Sequence, residues 1–314
     1  MNPNRIEDYC REHGYDIEKR MVRKKSLIYF LAKNKSKFIL KKLLTVEAED
    51  IDQKYKSEIR SIERVHDFST GPVRAPHIID TVDTDQFYVC ERIDGFTLHH
   101  LISSPFYNRA HVKEIHRILF QWLAAFYNRF QRQKCLVHDD PVFSLGPYTK
   151  KISAIVNDKD EEDRIVTCLR QSMLPVSIVH GDLTPWNIII RATDEIYIID
   201  WGNGGEDFPA HDITRYLLQL MRKVHWSGIK HDLFRMFIES FAPLFQNDPH
   251  LLTTMLQYHY LYSRRILLKK TDRLVTRWSI LRYLRVLLFY TAYYHTFVSM
   301  SRTNVKSIWN THEA

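Results

Sequence analysis

What this 314-residue chain has little of narrows it quickly. It contains nine glycines, and none lies between Gly14 and Gly71, so the first strands carry no glycine-rich loop. Its four cysteines, Cys10, Cys90, Cys135 and Cys168, make no Cys-x-x-Cys pair and show no metal-ligand spacing. That argues against a disulfide scaffold or a zinc ribbon, and reduced thiols point to the cytoplasm. The opening residues, Met1-Asn2-Pro3-Asn4-Arg5-Ile6-Glu7-Asp8, hold no apolar signal core. In the C-terminal part the longest uncharged run, Val286 to Met300, is too short and too polar to span a bilayer, so no transmembrane segment is expected. Internal repeats and low-complexity tracts are lacking too. What remains, 45% hydrophobic and 13% aromatic residues, is a globular composition, and the length suits about two domains.

Against these absences, residues 179 to 201 are dense in chemistry. Val179-His180-Gly181-Asp182-Leu183-Thr184-Pro185-Trp186-Asn187 runs into Ile188-Ile189-Ile190, and Ile196-Tyr197-Ile198-Ile199 follows after the polar Arg191-Ala192-Thr193-Asp194-Glu195. Two short β-branched runs with such a connector predict a hairpin. Asp182 and Asn187 then sit on the loop entering the first strand, and Asp200 at the exit of the second. In an antiparallel pair those ends are neighbours, so an amide and a carboxylate converge where a hard cation such as Mg²⁺ can be held. A further carboxylate, Asp182, is left to face a hydroxyl acceptor, which is the set of parts phosphoryl transfer needs.

His180-Gly181-Asp182 followed by Pro185 and Asn187, then Ile199-Asp200-Trp201, resembles the aminoglycoside phosphotransferase and choline kinase family, small-molecule kinases similar to protein kinases. The matching protein-kinase segments read His-Arg-Asp with Asn five residues on, and Asp-Phe-Gly. The resemblance implies an α+β, bilobal, protein-kinase-like fold: a small antiparallel-sheet N-lobe over residues 1–92 and a mostly helical C-lobe over 93–314. It implies ATP and Mg²⁺ as cofactors, Asp182 as base, Asn187 and Asp200 as metal ligands, and His180 and Asp212 as structural supports of the catalytic loop. Met21-Val22, Leu27 to Ala32 and Lys37 to Leu44 read as the first three strands. Lys41, directly after the apolar Phe38-Ile39-Leu40, resembles the lysine that reaches the nucleotide phosphates and is preferred to Lys42. Residues 51 to 66 have a helical apolar face at Ile59, Ile62 and Val65, and Glu58 falls where the lysine's partner is expected, with Glu63 and Glu49 as competitors. Glu91-Arg92-Ile93-Asp94-Gly95 is similar to the family's hinge, so Glu91 and Ile93 would offer backbone groups to adenine. The turn Arg23-Lys24-Lys25-Ser26 departs from the glycine pattern and leaves open whether backbone N–H groups, Ser26 or basic side chains hold the phosphates.

Ile115, Leu119, Trp122, Leu123 and Phe126 predict a long helix within 111–133. Gly202-Asn203-Gly204-Gly205 reads as a flexible loop after the metal strand, and His99-His100 as polar or core-edge residues. The net charge of +8 is concentrated late in the chain: nine Arg and Lys between Tyr258 and Arg302 face one acid, Asp272. That segment is either a solvated helical face or a site for an anionic partner, with Arg273, Arg277 and Arg282 as contacts to an acceptor or a lipid surface. The function expected is ATP-dependent phosphorylation of a hydroxyl on a small molecule or sugar, including a bacterial surface-glycan or lipid-linked sugar. The alternatives are a catalytically silent kinase-like protein on an anionic partner, and an antibiotic- or choline-type kinase. No nucleic-acid partner is expected. The compartment is the cytoplasm, at the inner membrane surface if the basic segment meets lipid.

Overall fold

The computed structural model describes residues 4–23, 26–44, 48–68, 71–104, 108–132, 134–136, 167–168, 173–191, 195–224, 227–245, 251 and 254–255. In chain order the first elements are α1 (Asn4–Glu12), β1 (Asp16–Val22), β2 (Ser26–Lys33), β3 (Ser36–Leu43), α2 (Ala48–Phe68), β4 (Val73–Arg74), β5 (Ile78–Val82), β6 (Phe87–Glu91) and β7 (Phe96–Thr97). Then come α3 (Leu98–Ser103), α4 (Arg109–Arg129), β8 (Lys134–Leu136), β9 (Met173–Pro175), β10 (Ser177–Val179), β11 (Ile188–Ile190), β12 (Ile196–Ile198) and β13 (Gly205–Asp207). The helices α5 (Pro209–Lys223) and α6 (Ser227–Phe241) complete the described order. The class is α+β. The chain forms two compact units, one of residues 1–100, 180–182 and 186–205, the other of 101–179, 183–185 and 206–314. Contact thus groups the β11–β12 hairpin with the N-terminal strands, whereas a single cut at 92/93 places it with the helices.

The first unit is built on a five-stranded antiparallel sheet in the order β1-β2-β3-β6-β5. Period-two alternation in β2 sends Leu27, Tyr29 and Leu31 to one face, where they join Leu40, Phe87, Val89 and the α1 residues Ile6 and Cys10 in a closed core. Each such side chain contributes on the order of 1.5–3 kcal/mol by leaving water. The opposite face carries Lys41 together with the half-buried Met21, Ile28, Phe30 and Ile39. The β2–β3 turn, Asn34-Lys35, has φ of 51° and 66°, the paired left-handed values of a two-residue hairpin. Strand β1 starts at Asp16, earlier than the expected Met21; its residues are charged and mostly exposed, so apolar patterning gave no signal, and pairing with β2 makes the strand.

A second sheet in this unit has the order β4-β12-β11-β7. The β11–β12 hairpin is antiparallel with Ile188 opposite Ile198, β7 adds alongside β11, and β4 runs parallel to β12.

The second unit is helical where it is described apart from short strands. In α4 the Asn108 side chain caps the N-terminus by accepting from Ala110 N–H at 2.9 Å. Its apolar stripe buries Ile115, Leu119, Phe120, Leu123 and Phe126, and Phe120 meets Tyr216 of α5 and Phe237 and Phe241 of α6 edge-on. The helix ends at Arg129, inside the expected stretch, where the C-cap Phe130 leaves helical geometry at φ −101° and ψ 11°.

Candidate active site

Strand β3 delivers the central charge of the site. Lys41 Nζ lies 2.6 Å from Glu58 Oε1 on α2 and 2.6 Å from Asp200 Oδ1 after β12. Cross-strand register explains the side of the sheet it occupies: Lys41 is opposite Ile28 on β2 and Tyr88 on β6. Lys42 points the other way, and its Nζ is 4.0 Å from Asp85. Burial by itself would lower the Lys41 pKa, but Glu58 and Asp200 outweigh it and hold the ammonium above its ordinary range. Glu58 is 1% exposed; its Oε1 also accepts from Tyr88 Oη–H at 2.8 Å. Tyr88 is in turn pushed well above its usual pKa, by burial first and by Glu58 second. Sequence reasoning missed Tyr88, whose only signal was its place in the strand before the hinge.

The hairpin positions the other groups. Ile199 N–H donates to Asn187 O at 2.9 Å, so the loop before β11 and the exit of β12 are held side by side. Asn187 donates Nδ2–H to Asp182 O at 3.0 Å; its remaining side-chain group, Oδ1, is an acceptor. The short 3₁₀ turn Pro185–Asn187 closes this loop. His180 donates from Nε2 to Ile199 O at 2.8 Å and accepts at Nδ1 from Asp182 N–H at 3.2 Å, which braces the loop against the strand exit. Gly181 sits at φ +75°, and a Cβ there would come 2.0 Å from Asn203 O, so no side chain fits. Asp200 also has a left-handed φ, 65°, a conformation that costs on the order of 1–3 kcal/mol for a non-glycine residue. Burial would raise the Asp200 pKa, but Lys41, helped by His180 and Arg23, lowers it below the ordinary carboxylate range.

The glycine segment after the strand is packed rather than loose. Gly204 N–H closes a turn on Trp201 O at 2.7 Å, and Ser57 on α2 donates to Gly204 O at 2.8 Å. A Cβ on Gly202 would lie 3.2 Å from both Lys41 Nζ and Glu58 Oε2. Close approach to α2 therefore explains these glycines, in place of the flexible loop expected from sequence.

Glu91 ends β6 with its N–H given to His77 O at 3.0 Å, so its carbonyl is what it has to offer a ligand; Ile93 follows, half-buried. His99 is stacked on Trp186 at a ring separation of 3.5 Å, and Trp186 is 55% exposed; the histidine reading as a polar or core-edge residue gave no hint of the pair. In the second unit the buried Asp212 has Oδ1 3.5 Å from Leu183 N and Oδ2 3.5 Å from Tyr127 Oη. It does not cap α5, whose N-cap is Phe208. Arg273, Arg277 and Arg282 lie outside the described residues.

Among the described residues no three His, Cys, Asp or Glu side chains form a metal cluster. The Asn187 amide oxygen and the Asp200 carboxylate are two oxygen donors that could hold an ion keeping water and phosphate oxygens in its remaining positions.

The chain belongs to the phosphotransferase enzyme family, APH, whose model matches residues 26–235. It is thus a phosphotransferase with an alcohol group as acceptor and a kinase-like fold. Among solved structures it is similar to amicoumacin kinase hAmiN in complex with AMP-PNP, Ca²⁺ and Ami, at 13% identity over 94% of each chain with a TM-score of 0.58. It is similar to the macrolide 2′-phosphotransferase MphH from Brachybacterium faecium, at 13% identity over 86% of this chain and 93% of that one, TM-score 0.54. A third likeness is to choline kinase LicA from Streptococcus pneumoniae, at 13% identity over 92% and 98%, TM-score 0.51. At these identities the likeness is one of fold. None of the curated proteins matches the chain.

Proposed function

We propose that this phosphotransferase moves the γ-phosphate of ATP to a hydroxyl of a small molecule, with a sugar as the acceptor class. The observation that carries the reading is Lys41 Nζ at 2.6 Å from both Glu58 and Asp200. A lysine fixed between two carboxylates is a preorganised phosphate contact, since Glu58 orients it and Asp200 yields when phosphate oxygens arrive. The half-exposed apolar face of β1–β3 beside it suits a nucleobase, with the Glu91 carbonyl and the Ile93 N–H as hydrogen-bonding groups. Similarity to hAmiN, seen with AMP-PNP and Ca²⁺, supports a nucleotide with a divalent ion.

Asn187 Oδ1 and the Asp200 carboxylate fit Mg²⁺: Asn187 Nδ2 is committed to Asp182 O, and the Lys41 contact with Asp200 Oδ1 is the one that phosphate oxygens would replace. Bound Mg²⁺ would neutralise phosphate charge as it shifts in transfer. Asp182 is the base: its backbone is pinned on both sides, by His180 Nδ1 and by Asn187 Nδ2, which fixes the point from which its carboxylate would take the hydroxyl proton and aim the oxygen in line. The half-exposed indole of Trp186, in the same loop and backed by His99, gives a flat π face for the C–H side of a sugar ring.

The test is a phosphotransfer screen with labelled ATP over sugars, amino alcohols and antibiotics, run beside Asp182→Asn. The wild-type chain is expected to label a sugar. The variant is expected to lose turnover by at least about a thousandfold, within the range of general-base and positioning effects, while nucleotide affinity survives. Near-normal transfer by Asp182→Asn would remove Asp182 from the role of base.

A further inference from the structure

The β1–β2 connection raises a problem of charge. Where a glycine-rich loop covers nucleotide phosphates, its backbone N–H groups supply the positive end of the interaction. Here Arg23 N–H donates to Ser26 O at 2.8 Å, so this backbone donor at the end of β1 is already used in pairing with β2.

The sheet register shows which side chain can replace it. Met21 on β1 is opposite Ile28 on β2, and Ile28 is opposite Lys41 on β3, so these three form one row on the face that bears Lys41. Arg23 is two residues beyond Met21. Ser26 is two residues before Ile28 and is opposite Leu43, two beyond Lys41. Period-two alternation puts Arg23 and Ser26 in the adjacent row on that same face. From strand spacing and rise, the Arg23 Cα lies roughly 12 Å from that of Lys41, a span that two long side chains and a polyphosphate between them can close. Arg23 is exposed, so its guanidinium is open to a ligand on that face.

We infer that Arg23 is a phosphate-binding residue that clamps the β- and γ-phosphates of the bound nucleotide from the hairpin tip, opposite Lys41, taking over the task of a glycine-rich loop. The inference rests on the proposed ATP site and adds to it the residue that distinguishes a triphosphate from a monophosphate. A guanidinium suits this position because its forked donors reach two phosphate oxygens at once, and it stays charged at any relevant pH.

Isothermal titration of the full chain with ATP, ADP and AMP in Mg²⁺ buffer tests it. Arg23→Ala is expected to weaken ATP about tenfold or more, the range of a charge-assisted hydrogen bond, and to leave AMP within about twofold, so that the ATP-to-AMP affinity ratio collapses. Arg23→Lys is expected to restore most of that ratio, and circular dichroism of all three proteins checks the fold. Equal weakening of ATP and AMP would mean that Arg23 supports the site without touching the outer phosphates, and unchanged affinity for both would mean that Arg23 does not touch the nucleotide; either overturns the clamp while the ATP site stands. Absence of ATP binding by the wild-type chain is a different failure, that of the nucleotide reading itself, and takes the clamp with it.

Discussion

Two adjacent lysines on β3 have opposite fates because a strand alternates its sides. Lys41 joins Glu58 and Asp200, whereas Lys42 approaches Asp85 across the other face. Removing Lys41 leaves Glu58 buried with Tyr88 as its remaining hydrogen-bond partner, a change expected to cost on the order of 3 kcal/mol. Lys41→Ala should therefore lower both the thermal midpoint and ATP affinity, and Lys42→Ala should lower ATP affinity much less. Calorimetric titration with ATP checks the order, and the reverse order would place the phosphate contact on the wrong face. At Gly181 the constraint is steric: a Cβ at 2.0 Å from Asn203 O forces the backbone to move. Gly181→Ala is expected to lose phosphotransfer and several degrees of melting temperature together, as seen in a thermal scan beside an activity assay. The hairpin that positions the loop was legible because two β-branched runs flank a polar connector, which set Asn187 beside the exit of the second strand. Tyr88, Gly202 and Trp186 were not, since partners far along the chain define them and no local pattern does.

Among the elements, α4 was visible from its apolar period and β1 was not, because β1 has no apolar face of its own and exists through pairing with β2. The hidden feature of α4 is a titratable one. His116 is fully buried, with Nδ1 on Val112 O at 2.6 Å and Nε2 on Tyr216 Oη at 3.0 Å. Burial lowers its pKa to about 4, and burial lowers that of His211 on α5 to about 3. A base with a depressed folded pKa is protonated first in the unfolded chain, so its share of stability is intact above about pH 6.5 and is lost as pH falls toward the folded value. Each histidine is expected to remove about 2 kcal/mol between pH 6.5 and pH 5. Urea unfolding across that range checks it: His116→Gln should flatten the slope by about half, and a slope unchanged by the substitution would mean that the ring is already hydrated.

At the scale of the whole molecule, the net charge of +8 and the basic run from Arg264 to Arg302 predict a salt-sensitive partner. Sedimentation with vesicles containing anionic lipid should retain the wild-type chain at low ionic strength and release it as salt rises. Neutralising Arg273, Arg277 and Arg282 together should abolish that retention without changing ATP affinity. Retention of the triple variant at wild-type level would leave those arginines as a solvated face. The sheet of β4, β12, β11 and β7 has a different kind of consequence. Strands β4 and β7 lie before residue 98 and wait for β11 and β12, which begin at Ile188 and Ile196. On a ribosome adding roughly 5–20 residues per second, about ninety residues of waiting lasts on the order of ten seconds. During that time the nascent first half has Phe96 and two unpaired strand edges to protect. A ribosome stall or premature stop between residues 100 and 188 should yield fragments that depend on chaperones to stay soluble, whereas one placed beyond residue 205 should release a chain with that sheet already closed.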